Sequence, residues 1–173
     1  DLRIRRDDKT QRLSGVLLLR APASLRFEAL TAFGVPVVLV AGDAQSVTLW
    51  EVLDNRAFLL PASPDATRRW LGVSLGAEDL VAILSGNVRP LRNPSSVELV
   101  PEDLIGPSLK LTGEDGEQRI WFNPETGQPR QVEWTGGRNP ARVTFEPPAP
   151  DGGPTRLTLA PLTGKLAAGG GDR

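Results

Sequence analysis

Ser74 holds the one position whose spacing matches a catalytic signature. Gly72-Val73-Ser74-Leu75-Gly76 reads G-x-S-x-G, the turn that presents a serine nucleophile in many hydrolases. That chemistry needs a strand before the turn, a longer helix after it and a histidine to take the serine proton. Here a short helical pattern precedes the motif, and the 173-residue chain has no histidine. The five residues therefore read as an interhelical turn whose glycines permit a sharp reversal. Cys, Met and Tyr are also absent. Without imidazole and thiolate, structural zinc sites and most nucleophile–base pairs are excluded, and an enzyme would have to work with carboxylates, Ser, Lys and Arg alone.

The carboxylates give no stronger signal. A glycosidase pair need not be close in sequence, but Asp7, Asp8, Glu102 and Asp103 all lie in turn-like surroundings, where solvated carboxylates are the rule. Glu114-Asp115-Gly116-Glu117 lacks the twelve-position acidic spacing of a calcium loop and reads as a hairpin turn. Gly169-Gly170-Gly171 lacks the helix and lysine of a phosphate loop. Arg3, Arg5, Arg6, Arg12 and Arg20 alternate with apolar residues and have only Phe27 as a nearby aromatic, and the formal net charge is −1, which argues against nucleic acid as a partner. No catalytic residue, metal or cofactor is expected; function is expected to come from binding. The turn Thr31-Ala32-Phe33-Gly34-Val35-Pro36 is unusual because turns are generally polar. Either Phe33 folds back to cap the core, or Phe33, Val35 and Pro36 form an apolar finger that contacts a bilayer or a partner.

The elements that must position these residues are mostly strands. Leu2 to Arg6, a turn at Asp7 to Thr10, and a return from Leu13 to Arg20 make a hairpin, its second strand apolar on both faces from Val16 to Leu19 and hence expected to be strongly buried. From Ser24 to Leu30, Leu25, Phe27 and Ala29 share one face, with Ser24, Arg26 and Glu28 on the other. Val37 to Ala41, Val47 to Leu53 and Ala57 to Leu60 continue an antiparallel meander. After Pro61 to Pro64 the period changes, and two short helices are expected over Asp65 to Leu71 and Ala77 to Ser85, with Gly72 and Gly86 as stops and Trp70, Leu71, Leu80 and Leu84 facing a sheet. Beyond Pro90, the pairs Val97/Leu99, Leu109/Leu111, Ile120/Phe122, Val132/Trp134, Val143/Phe145 and Leu157/Leu159 each mark one face of a strand.

The fold class is thus mainly β with small α: a strongly curved antiparallel sheet, an incomplete barrel, closed by a short helical lid. The length supports one domain over 1–163 with a helical insertion at about 64–86, followed by a Gly/Ala-rich tail at 164–173 that is expected to be disordered. Asp1 is not a translation start, so something is expected to precede it. The longest apolar stretch, Gly34 to Gly42, falls far short of the roughly 20 residues a membrane span needs.

From Leu13 to Pro90 the chain resembles the LolA/LolB superfamily of bacterial lipoprotein carriers and receptors. The resemblance rests on Leu25-Arg26-Phe27-Glu28 leading to Phe33-Gly34, on the apolar strand after it, and on the run from Trp70-Leu71-Gly72 through Leu80-Val81-Ala82-Ile83-Leu84 to Gly86 and Pro90. Asn123-Pro124-Glu125-Thr126-Gly127-Gln128-Pro129 between two strands also fits the family's hairpin order. The match lies in order and pattern. It implies a cavity for lipid or lipoprotein acyl chains, lined by Leu17, Leu19, Leu25, Phe27, Leu49, Trp70, Leu80, Leu84, Phe122 and Trp134. It further implies a role in lipoprotein or lipid transfer at the periplasmic face of the bacterial outer membrane, with a periplasmic carrier and the inner leaflet of that membrane as partners. Anchoring would run through a lipidated residue upstream of Asp1. The contrasting expectation is an envelope-assembly or interaction module whose barrel is filled by its own side chains.

Overall fold

The computed structural model describes residues 1–6, 9–71, 73–136, 140–147 and 156–162, and of residues 2, 4–6, 9–11 and 69–71 it describes the backbone alone. The strands are β1 (Leu2–Arg6), β2 (Lys9–Arg20), β3 (Ser24–Leu30), β4 (Pro36–Gly42), β5 (Ser46–Glu51) and β6 (Arg56–Pro61), then β7 (Ser96–Val100), β8 (Ser108–Gly113), β9 (Gly116–Phe122), β10 (Pro129–Thr135), β11 (Ala141–Glu146) and β12 (Arg156–Pro161). Between β6 and β7 come two helices, α1 (Pro64–Leu71) and α2 (Ala77–Leu84). The mainly β class and the order of elements follow the pattern in the sequence.

Each strand pairs with its chain neighbour in antiparallel fashion, which two-sided alternation joined by tight polar turns dictates. The pairing divides them into two six-stranded meanders, β1 to β6 and β7 to β12, and neither sheet is closed or strongly curled. The division falls where Pro61, the two helices, Pro90 and Pro94 interrupt the chain, since proline cannot extend a ladder.

In the first sheet, residues in register form apolar rows. Leu17 stands opposite Phe27, Phe27 opposite Val40, Val40 opposite Leu49 and Leu49 opposite Phe58. The next row runs Leu19, Leu25, Gly42, Val47, Leu60. In the second sheet the corresponding row is Leu109, Ile120, Val132, Val143, Leu159. Its opposite face carries charge: Lys110 pairs with Glu117 at 3.0 Å and Arg142 with Glu133 at 2.6 Å.

The helical insertion lies between the two apolar faces. α2 runs against β2 and β3, while its Ile83, with Val73 and Leu75 of the interhelical turn, joins Leu111, Ile120, Val132, Ala141 and Val143 in the buried core. Val81 and Ile83 are the buried residues of α2. Two positions apart on a helix means about 200° of rotation, so opposite sides of α2 are both covered. Leu80 and Leu84, expected to face a sheet, are half-buried. The helix is apolar on several sides because it is sandwiched. It ends at Gly86, φ +80°, where Gly86 N–H donates to the Ile83 carbonyl and Asn87 N–H to that of Ala82 (both 2.9 Å).

The expected strong burial of the second strand is also corrected. Val16, Leu17 and Leu18 of β2 are exposed, because α2 covers only part of one face and nothing among the described residues covers the other. The proposed stop at Gly72, the acidic pair Asp7 and Asp8, and the tail at 164–173 lie outside the described residues.

Candidate functional site

Five of the residues expected to line a cavity, Leu17, Leu19, Leu25, Phe27 and Leu49, project from one face of the first sheet, in two adjacent rows. Register adds Val40, Val47, Phe58 and Leu60 to that face. The sequence reading missed these four. Val40 lies in Val37 to Ala41, and Phe58 and Leu60 in Ala57 to Leu60, runs apolar on both faces where only pairing to a neighbour of known phase reveals which side each residue takes, whereas Val47 could have been found from its alternation with Leu49. Burial on this face is uneven. Ala29 and Leu49 are buried in the middle, whereas Leu17 is 40% and Phe58 37% exposed at its two flanks. On β7, the strand after the helices, Val97 and Leu99 share the face of Leu109 and Leu111 and are exposed as well.

Leu80 and Leu84 sit half-buried on α2, the helix that covers β2 and β3. Phe122 and Trp134 belong to the second sheet, on the side of Ile120 and Val132, and Trp134 packs against the sealed core. They therefore lie on a different sheet from the first-sheet rows. The Trp70 side chain lies outside the described residues.

The turn between β3 and β4 is ordered by its own hydrogen bonds. Thr31 N–H donates to the Val35 carbonyl (2.8 Å), Gly34 N–H to the Thr31 carbonyl (2.9 Å), and Val35 N–H to Thr31 Oγ1 (3.1 Å). Gly34 takes φ +79°, which a side chain would resist. Phe33 does not fold back onto the core: it is 94% exposed, with Val35 and Pro36 exposed beside it.

Ser74 does not act as a nucleophile would require. Its Oγ donates to the Pro64 carbonyl (3.1 Å), tying the interhelical turn to the start of α1, and its neighbours Val73 and Leu75 are buried in the core. Asp103 is committed to structure. Its carboxylate accepts from Trp121 Nε1 (3.0 Å) and Leu104 N–H (2.5 Å) and pairs with Arg119 (2.6 Å), which lies over the Trp121 ring at 4.7 Å. The Trp121 and Leu104 donors, with Arg119 behind them, hold this carboxyl below its ordinary value.

A polar cleft of about 350 Å³ opens at the start of α2, lined by Ala44, Gly76, Ala77, Glu78, Asp79, Arg89 and Arg92. Arg89 bridges Glu78 (2.5 Å) and Asp79 (3.4 Å), and Arg92 reaches Glu78 (2.8 Å). Burial pushes the Asp79 carboxyl up, against the pull of Arg89. The charges neutralise one another, so the cluster ties α2 to the segment leading into β7. Among the described residues no group of three or more His, Cys, Asp or Glu could hold a metal ion, and no helix is long and apolar enough to cross a membrane. Compared with known proteins, the chain matches no family model and no curated protein.

Proposed function

We propose that this chain binds acyl chains of lipids or lipoproteins against the apolar face of its first sheet and hands them on at a bilayer surface. The observation that carries this reading is the half-open face: rows of Leu, Phe and Val side chains meet α2 along β2 and β3 and are left exposed at Leu17 and Phe58. Binding there needs no catalytic group. Each methylene removed from water contributes about 0.8 kcal/mol, enough for a long acyl chain to be held by shape alone. The similarity to LolA/LolB proteins supports the same reading, with the two sheets as halves of an incomplete barrel, the helices as its lid, and Phe33, Val35 and Pro36 as the contact with membrane or partner. The site of action would be the periplasmic face of a bacterial outer membrane, and the chain would be a carrier or receptor and not an enzyme.

A second reading is favoured by the second sheet, whose apolar face is covered at Leu111, Ile120, Val132 and Val143 by the protein's own Val73, Leu75 and Ile83. In that reading the interior is filled and the chain is an interaction module. Native mass spectrometry of protein purified from bacterial membranes, together with uptake of a fluorescent fatty acid, separates the two. Co-purifying lipid and probe uptake are expected, and L17Q and F58Q are each expected to weaken the probe roughly tenfold without loss of fold. Absence of both bound lipid and probe uptake would overturn the acyl-binding reading and leave the filled module.

A further inference from the structure

One end of the first sheet brings together features that the acyl-binding face does not use. β2 pairs with β3 only from Ser14 onward, where Ser14 faces Leu30, the last residue of β3. Lys9 to Leu13 therefore run past β3 paired with β1 alone, from Arg6 opposite Lys9 to Leu2 opposite Leu13. Five residues at about 3.3 Å each make an arm of roughly 16 Å. In an antiparallel meander alternate turns leave at the same end, so the turn bearing Phe33 and the turn between β5 and β6 lie at the end from which this arm extends. Val52 N–H donates to the Val37 carbonyl (3.0 Å) and holds the second turn beside the first. Its Leu53 is 77% exposed.

By sequence this hairpin is cationic: Arg3, Arg5, Arg6, Lys9 and Arg12 outnumber Asp1, Asp7 and Asp8, in a chain whose formal net charge is −1. Arg3 and Arg12 are directly opposite in register and both exposed. Like charges so placed weaken a hairpin, so folding alone gains nothing from them. We propose that this end docks on an anionic lipid surface, with Phe33 and Leu53 entering the interface as two separate apolar points and the cationic arm lying over acidic headgroups. Shape favours a bilayer over an acidic protein. The apolar residues project from two turn tips, which suits a fluid interface, whereas a protein hot spot is a packed patch ringed by neutral contacts. Asp54 shares the second tip and Arg56 follows it, so the attraction comes chiefly from the arm. The proposal extends the membrane-contact role given to Phe33 above and rests on it, but it does not depend on acyl-chain binding.

The test is co-sedimentation with vesicles of phosphatidylethanolamine and phosphatidylglycerol, against vesicles of phosphatidylcholine alone, at low and high salt. Binding to the anionic vesicles alone, weakened by salt, is expected. R3Q/R12Q is expected to lose roughly 25-fold in partitioning, at about fivefold for each charge near the surface, with an unchanged circular dichroism spectrum. L53S, with Phe33 intact, is expected to lose roughly tenfold, and acyl-probe uptake should be unaltered in both variants. Equal binding to both vesicle types, or R3Q/R12Q binding like the unchanged chain, would overturn the proposal. So would a lack of vesicle binding accompanied by retention on immobilised polyglutamate, which would assign the arm to an acidic protein. Loss of probe uptake in the unchanged chain with vesicle binding intact would sink the acyl-binding reading alone.

Discussion

Gln118 shows how much one residue can decide. It lies on the apolar side of β9, two positions before Ile120, and is buried. Its Oε1 accepts from Leu91 N–H (2.6 Å) and its Nε2 donates to the Arg89 carbonyl (2.9 Å), which fastens the segment after α2 onto the second sheet. The alternation of Ile120 and Phe122 already assigns Gln118 to the apolar face. What the sequence does not hold is its partners, 27 and 29 residues earlier. Q118L is expected to cost about 2 kcal/mol or more in urea unfolding, since it leaves a buried donor and a buried acceptor unpaired. Asp103 gives a pH-dependent counterpart. Its pKa is lowered from 3.8 in the fold, so its stabilisation is fully present above that value and is lost as pH falls through the lower folded value. D103N should therefore be less stable than the unchanged chain at neutral pH, with the difference shrinking as pH falls below about 4. A difference constant across that range in acid-unfolding curves would rule out the carboxylate as its source.

Elements were the most legible level. β3, from Ser24 to Leu30, has the bounds its alternation gives, and α2 ends at Leu84, one residue before the expected Ser85. Turn chemistry explains this: Gly, Pro, Asn and Asp set local dihedral angles without reference to the rest of the molecule. Gly86 illustrates the energetics, because φ +80° costs a side-chain residue about 1 kcal/mol. G86A is expected to lower stability by about that amount, as measured by the thermal midpoint, and no change would mean that the helix end can take another conformation. β2 was misjudged for a nonlocal reason. Its run Val16-Leu17-Leu18-Leu19 is apolar on both sides, which by itself cannot distinguish a doubly covered strand from one with an uncovered face.

At the scale of the whole molecule the packing is asymmetric. Buried Ile120, Val132 and Val143 of the second sheet form the core with Ile83, whereas among the described residues the strands of the first sheet contribute only Ala29 and Leu49 to the buried set. I83A is accordingly expected to cost about 2–5 kcal/mol, and L17A well under 1 kcal/mol, since a 40% exposed side chain leaves little cavity. Amide exchange should then find β9, β10 and β11 the slowest strands and β1, β2 and β6 the fastest. Equal protection of the two sheets would contradict this account. The low-stability sheet is the one assigned to ligand and membrane, in keeping with the need of such surfaces to open and adapt.

The sequence by itself determined the strands, the two helices, the turns between them, and the lack of histidine and thiol chemistry, because period-two alternation, turn residues and composition are local properties. It also placed Leu17, Leu19, Leu25, Phe27 and Leu49 among the apolar residues of interest. Tertiary structure alone decided that these five share one face, that Phe122 and Trp134 lie on the other sheet, and that Phe33 stands in solvent. Register across strands and the seating of α2 between two sheets depend on contacts between residues far apart in the chain. No local pattern encodes which of two apolar faces another part of the chain will cover.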